Sequence, residues 1–123
     1  MPKLRIFLVE DNDLVSENLT AAIHETTNAE VLAIARSEVQ ALAWIEENTA
    51  DVYIIDVMLR NGNGLKVLQQ AETNAGTWVV FTNHNVSELA RVAKENGAHY
   101  VLDKSNEVDT LMMLLQRMAS RIE

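Results

Sequence analysis

The chain has 123 residues, which is long enough for one domain with a substantial hydrophobic core. It has no cysteine, which excludes disulfides, thiolate metal sites and cysteine nucleophiles, and no apolar run reaches the roughly 18 residues of a membrane helix. A formal net charge of −8 disfavours nucleic acid as a direct partner, because phosphate backbones repel it. We therefore expect residues 1–123 to form one cytoplasmic domain that binds neither membrane nor nucleic acid.

Short apolar runs alternate with segments of helical periodicity along the chain. We interpret five of these runs as buried strands, at 4–9, 31–35, 52–55, 78–81 and 100–102. Apolar residues at helical spacing follow each run, as in 15–23 after the first. Alternation with short connections predicts parallel β-α-β units. We expect an α/β fold, a flavodoxin-like doubly wound (βα)5 sandwich with a five-stranded parallel sheet in the order 2-1-3-4-5.

The second helix has a recognisable start. Ser37 followed by Gln40 resembles a capping box, in which two side chains satisfy backbone amides at the helix N-terminus. Val39, Leu42 and Ala43 are then expected to form its buried face.

The third apolar run, 52–55, ends on Asp56 and breaks into the loop sequence Arg-Asn-Gly-Asn-Gly at 60–64. Glycine and asparagine tolerate positive φ, so this segment is predicted to be a loop. In open α/β sheets, chemistry lies just beyond the carboxyl ends of the strands. A loop-capping role would explain a lone aspartate, but Asp56 is not alone at this edge of the sheet.

Five polar side chains follow the predicted strands. Glu10 and Asp11 follow the first, Asp56 the third, Thr82 the fourth and Lys104 the fifth. Each has an ordinary explanation by itself, as a solvated turn, a helix cap or a surface lysine. Together they place three mutually repelling carboxylates on one rim, and a hard divalent cation relieves that repulsion. Mg²⁺ takes oxygen ligands and retains several waters, so we predict a Mg²⁺ site held by Asp11 and Asp56, with Glu10 acting directly or through water.

The same set of residues suits phosphoryl transfer. Asp56 is the candidate nucleophile, and its attack on phosphorus gives an aspartyl-phosphate. Mg²⁺ and Lys104 would neutralise the equatorial phosphoryl oxygens. The hydroxyl of Thr82 would donate a hydrogen bond to one of those oxygens.

These residues resemble the pattern of the response regulator receiver domains of two-component signalling, of the single-domain chemotaxis-regulator type, over essentially the whole chain. The matching positions are the acidic pair Glu10 and Asp11, the phosphoacceptor Asp56, the switch hydroxyl Thr82, the lysine Lys104 and the loop glycine Gly64. The resemblance implies that the backbone carbonyl of Met58 joins Glu10, Asp11 and Asp56 as a metal ligand.

The resemblance also implies partners. A sensor histidine kinase or a histidine phosphotransfer protein would donate the phosphoryl group, and a downstream protein would read it. Receivers that control transcription usually carry a DNA-binding domain beyond the last helix. Unless this sequence is a fragment from which such a domain was removed, output is expected through a protein–protein contact, and a homodimer through helix four, strand five and helix five is a candidate. Met113 and Leu114 lie outside the apolar stripe of that last helix. Partial burial or single exposure, both of which are common, and a docking face account for them equally well.

Four positions depart from the receiver pattern. Arg60 stands where the family often has proline, and Ser105 replaces the proline that often follows the lysine in a cis peptide. Asn83 replaces a very small residue after the switch hydroxyl. The switch aromatic position holds Val101, with Tyr100 beside it.

The departures bear on how water reaches the aspartyl-phosphate. We expect Met58, Asn83 and His84 to border that approach. Hydrolysis is predicted to be slow, because Asn83 narrows the path and Met58 offers water no hydrogen-bonding group. His84 either holds a water or, as is more common, is a solvated loop histidine.

Three other functions are compatible with parts of this pattern. A receiver used as a scaffold without phosphorylation needs only the fold. A Mg²⁺-dependent phosphatase of the haloacid-dehalogenase type resembles the chain in its nucleophilic aspartate, but that family has Asp-x-Asp where this chain has Met58 at the second position. A flavodoxin-like cofactor binder needs a phosphate-cradling loop where Glu10 and Asp11 would repel phosphate.

Overall fold

The computed structural model describes residues 3–71, 76–83 and 86–122, in which five helices alternate with five strands. All strand pairs are parallel, in the order β2-β1-β3-β4-β5, and the predicted flavodoxin-like fold is confirmed. In chain order the elements are β1 Leu4–Val9, α1 Asp13–Thr26, β2 Ala29–Ala35, α2 Glu38–Glu47, β3 Val52–Ile55, α3 Gly64–Gln70, β4 Thr77–Thr82, α4 Val86–Glu95, β5 Tyr100–Asp103 and α5 Val108–Ile122. None of these helices is both long and apolar enough to span a membrane.

The sheet separates two hydrophobic clusters. α1 and α5 cover one face, and α2, α3 and α4 cover the other. On the second face Phe7 stacks on Trp44 with ring centroids 4.0 Å apart, and Tyr53 stacks on Trp78 at 4.2 Å. Such pairs contribute about 1 kcal/mol each beyond area burial. They anchor β1, β3 and β4, three of the strands whose carboxyl ends carry the candidate site.

The start of α2 is only partly the predicted capping box. The hydroxyl of Ser37 accepts a hydrogen bond from the amide of Gln40, as expected. The side-chain oxygen of Gln40, however, accepts from the amide of Arg36, one residue before the cap, at 2.8 Å. The start of α2 is therefore capped. The side chain of Gln40 binds the amide of Arg36, where a capping box would have it bind the amide of Ser37.

The predicted buried face of α2 is wrong in two of its three residues. Val39 is 77% exposed and Ala43 is exposed, while Leu42 packs against the core as predicted. The buried residues are Ala41 and Ile45. Positions two apart on a helix lie roughly 200° apart around the axis, so rows 39/43 and 41/45 face in nearly opposite directions. The row that packs against the core is the one that contains Ile45, a larger side chain than Val39 or Ala43.

The predictions for the other elements hold to within a few residues. β2 begins at Ala29, two residues before the predicted start, and has a bulge where its register with β1 shifts between Ile6 and Phe7. In α5, Leu114 packs against the core, which agrees with partial burial, whereas Met113 is 60% exposed.

The parallel registers bring the carboxyl ends of four strands to one edge. Val9 lies beside Ile55, Ile55 beside Val80, and Thr82 beside Asp103. Residues that immediately follow these strands therefore meet above the sheet.

Candidate functional site

Three carboxylates meet where β1 and β3 end. Glu10, Asp11 and Asp56 each offer an oxygen, and these oxygens all lie within 4.8 Å of one another. Glu10 and Asp56 are buried, and Asp11 is partly buried. Carboxylates held this close repel one another unless a cation lies among them. The donor set fits Mg²⁺, because an all-oxygen group of two or three carboxylates is what a hard divalent cation prefers.

Lys104 lies between two of these carboxylates. Its Nζ contacts Oε1 of Glu10 and lies 2.7 Å from Oδ2 of Asp56, and its side chain is only 10% exposed. Burial by itself lowers the pKa of Lys104, but hydrogen bonds and opposite charges from Asp56 and Glu10 outweigh burial and raise that pKa. The ammonium therefore stays protonated at neutral pH and offsets part of the negative charge.

Each carboxylate is also oriented by a backbone amide. The pairs are Asn12 N with Oε2 of Glu10 at 3.0 Å, Arg60 N with Oδ2 of Asp11 at 2.6 Å, and Met58 N with Oδ1 of Asp56 at 3.1 Å. Two of these three amides belong to the loop that follows Asp56. The geometry of the acidic cluster thus depends on the conformation of that loop.

Thr82 is fully buried at the end of β4, next to the strand that carries Asp56. Its carbonyl accepts a hydrogen bond from the amide of Lys104 at 3.0 Å. The backbone at the end of β4 is therefore tied directly to the residue whose ammonium contacts Asp56. The role of the Thr82 hydroxyl stays a prediction.

Two of the departures from the receiver pattern contact each other. Oγ of Ser105 donates to Oδ1 of Asn83 at 3.2 Å, and the amide of Ser105 donates to Oδ1 of Asp103 at 2.7 Å. No peptide bond among the described residues is cis, so the Lys104–Ser105 bond is trans. The hydroxyl of Ser105 links the segments after β4 and β5.

The side chains expected to border the water approach do not share one groove. Asn83 lines a groove with Lys104 beside α1 and the start of α5, whereas Met58 is 59% exposed and lines a groove against α4 with Leu89. His84 lies outside the described residues. That Met58 and Asn83 control the approach of water to Asp56 stays a prediction. The two side chains would act from different grooves.

The switch aromatic position on β5 holds Val101, which packs against the core cluster that contains Val80. Tyr100, one residue earlier, is 41% exposed. Neighbouring residues of a strand face opposite sides of the sheet, and here the side chain that packs against this core cluster is that of Val101.

Sequence reasoning missed one residue close to the site. Glu38, in the first turn of α2, holds the tip of the loop after Asp56 through two hydrogen bonds. No local pattern marks it, because an acidic residue in the first turn of a helix is common for reasons of helix electrostatics.

The chain matches the model of a known protein family over most of its length. The family model described as "Response regulator receiver domain" matches residues 6–116. Protein-glutamate methylesterase/protein-glutamine glutaminase 3 of Rhodopseudomonas palustris (strain BisB18) is 26% identical over 121 residues, which cover 96% of this chain and 33% of that protein. The chain spans about a third to a half of the length of the curated relatives it matches.

Solved structures show the same fold. A two-component response regulator of the LuxR family from Aurantimonas sp. SI85-9A1 superposes with a TM-score of 0.86 at 26% identity, covering 97% of this chain and 86% of that one. A response regulator protein from Burkholderia pseudomallei, solved with a phosphorylated aspartic acid, a calcium ion and citrate, has a TM-score of 0.81 at 20% identity, covering 98% and 71% of the two chains. At that identity the second likeness shows the fold alone.

Proposed function

This chain belongs to the response regulator receiver family of two-component signalling, and from that premise we propose that it accepts a phosphoryl group on Asp56 with Mg²⁺ as cofactor. The donor is a sensor histidine kinase or a histidine phosphotransfer protein. The observation that carries the proposal is the acidic cluster whose buried Asp56 lies 2.7 Å from the ammonium of Lys104. We propose further that residues 1–123 form one receiver domain and that it acts in the cytoplasm.

The proposed metal ligands are Glu10, Asp11, Asp56 and the backbone carbonyl of Met58. When bound, Mg²⁺ supplies positive charge against the phosphoryl oxygens. The all-oxygen donor set of Glu10, Asp11 and Asp56 supports a hard divalent cation at this site.

The residues of the chain perform the remaining tasks. A carboxylate oxygen of Asp56 attacks phosphorus, a P–O bond forms, and the bond from phosphorus to the donor atom breaks. Lys104 exchanges part of its interaction with Asp56 for one with a phosphoryl oxygen, and the Thr82 hydroxyl donates to another. Since Thr82 and Lys104 are joined through their backbones, a shift of either one is expected to move the ends of β4 and β5 together.

Output is proposed to be a protein–protein contact rather than catalysis, because receiver domains are signalling domains. The candidate surface is α4, β5 and α5, where Tyr100 and Met113 are exposed. A homodimer or a downstream protein would bind there in a phosphorylation-dependent way. The alternative, a scaffold that signals without phosphorylation, has the same fold and differs only in its response to a phosphodonor.

Incubation with Mg²⁺ and acetyl phosphate, followed by intact-mass measurement, tests the proposed function. The parent chain is expected to gain the mass of one phosphoryl group, with Thr82→Ala still labelled and Asp56→Asn and a chelator-treated sample unlabelled. A scaffold would gain no mass, and a phosphatase would also release inorganic phosphate from external phosphate monoesters. Equal labelling of Asp56→Asn would overturn the assignment of the phosphoacceptor.

Asn83 is expected to slow both loading and loss of the phosphoryl group, because its side chain accepts a hydrogen bond from Ser105 and lines the groove that contains Lys104. We expect Asn83→Ala to accelerate both by roughly tenfold, since a misplacement of about 1 Å in a reacting group costs up to about 100-fold. Met58→Asn is expected to accelerate loss chiefly, by offering water a hydrogen-bonding group. The measurement is the rate of phosphate loss after donor removal at saturating Mg²⁺. Parent-like rates in both variants would show that these side chains do not control access.

A further inference from the structure

The loop after Asp56 is held at its tip by α2, a helix that carries no predicted site residue. The amide of Glu38 donates to the carbonyl of Asn61 at 3.1 Å, and the amide of Asn63 donates to Oε1 of Glu38 at 3.0 Å. One residue therefore holds the loop on both sides of Gly62.

Gly62 shows how closely the loop and Glu38 approach. Its φ is +115°, a conformation that favours glycine, and a Cβ placed on it would lie 2.3 Å from Cβ of Glu38. The tip of the loop thus lies directly against the first turn of α2.

The same loop reaches two of the three carboxylates. Asn63, which Glu38 binds, pairs with Met58 in an isolated antiparallel bridge. The amide of Met58 donates to Asp56, and between these two bridge residues the amide of Arg60 donates to Asp11 at 2.6 Å. Glu38 is therefore joined to Asp56 and Asp11 through one short segment of backbone.

We propose that Glu38 is a positioning residue for the metal site. By accepting the hydrogen bond from Asn63, it fixes the loop so that the amides of Met58 and Arg60 hold Asp56 and Asp11 in a geometry ready for the cation. Without that hold, the mutual repulsion of the carboxylates moves them apart, and metal binding has to bring them back. The inference rests on the proposed function for the identity of the cation, Mg²⁺.

A positioning role depends on the hydrogen bond, whereas simple electrostatic attraction depends on the charge. Glu38→Gln keeps an acceptor oxygen at the same reach and removes the charge, and Glu38→Ala removes both. Glu46→Ala removes the same charge from an exposed position on the same helix and serves as the matched control.

The experiment is a Mg²⁺ titration of each folded variant by calorimetry. Glu38→Ala is expected to bind Mg²⁺ about tenfold more weakly, which is the usual size of an effect exerted through a ligand's hydrogen-bond partner. Glu38→Gln and Glu46→Ala are expected to stay near the parent affinity. If Glu38→Gln and Glu38→Ala weaken Mg²⁺ binding equally, the effect is due to charge. If Glu38→Ala keeps the parent affinity, the hydrogen bond from Asn63 is not needed to position the loop. Either result overturns the inference.

Hydrogen exchange in the absence of metal provides a second measurement. The amides of Met58 and Arg60 are expected to exchange several-fold faster in Glu38→Ala than in the parent, and Glu38→Gln is expected to restore the parent rate. Unchanged exchange would refute the positioning role. If the parent itself binds no Mg²⁺, the proposed function fails, and exchange at Arg60 still decides whether Glu38 holds the loop.

Discussion

Replacing Lys104 with methionine is expected to lower the free energy of unfolding of the metal-free protein by about 3 kcal/mol, the cost of removing one partner from a buried ion pair. Methionine keeps much of the apolar stem and removes the ammonium that contacts both Glu10 and Asp56. Two buried carboxylates then face each other without their cation. Urea denaturation in the presence of a chelator measures the change.

The loss is expected at neutral pH and at every higher pH up to the ordinary pKa of lysine. Burial lowers the pKa of Lys104, but its two carboxylate partners raise it further, so the folded-state pKa lies above the ordinary lysine value. The stabilisation is therefore complete below that ordinary value and is lost as pH rises through the raised pKa.

The exposed Lys94 on α4 offers the control for Lys104→Met. Lys94→Met is expected to change stability by less than about 0.5 kcal/mol, as is usual for surface positions. Saturating Mg²⁺ is expected to narrow the gap between Lys104→Met and the parent, because the metal provides a cation to the same carboxylates. A Lys104→Met variant as stable as Lys94→Met would contradict the bridging role.

Asp11→Ala is expected to weaken Mg²⁺ binding by more than about tenfold and to prevent phosphorylation of Asp56. A carboxylate ligand is lost, and so is the acceptor for the amide of Arg60. The fold is expected to survive, with stability in the absence of metal unchanged or higher, because one of three repelling charges is gone. Calorimetric titration measures the Mg²⁺ affinity, and urea denaturation measures the free energy of unfolding in the absence of metal.

Asp11→Asn separates the loss of the carboxylate ligand from the loss of the hydrogen-bond acceptor, since the asparagine oxygen can still accept from the amide of Arg60. We expect it to bind Mg²⁺ nearly as weakly as Asp11→Ala, because the missing ligand charge dominates. Asp13→Ala, at an exposed carboxylate paired with Arg36, controls for the general loss of negative charge. Unchanged Mg²⁺ affinity in Asp11→Ala would refute the assignment of the metal site.

The strands and the rim of polar residues could be predicted because local patterns encode them. β3 is buried along its whole length and reads as an apolar run, and in a parallel sheet the carboxyl ends of such strands share one edge. The position of Asp56 directly after that strand follows from the same pattern. The order β2-β1-β3-β4-β5 then brings Glu10 and Asp11 beside Asp56.

Contacts between distant segments could not be read in the same way. The Lys104–Glu10 contact joins residues 94 positions apart, and the Glu38–Asn63 hydrogen bond joins residues 25 apart. Which oxygen meets which donor depends on side-chain rotamers and loop conformation, which local spacing does not encode. The buried row of α2 differs from the prediction for a related reason. Rows 39/43 and 41/45 are both apolar, and only the way the helix packs on the sheet decides which of them is buried.

The sequence by itself thus determined the fold and the set of residues at the edge of the sheet. The spacing of apolar residues and the points where strands end are local properties of the chain. Only the tertiary structure decided how those residues are held. It placed the ammonium of Lys104 between two carboxylates, joined Asn83 to Ser105 and bound Glu38 to the amide of Asn63. Each of these contacts requires two separately folded segments to meet within about 3 Å, a distance set by the packing of whole helices and strands.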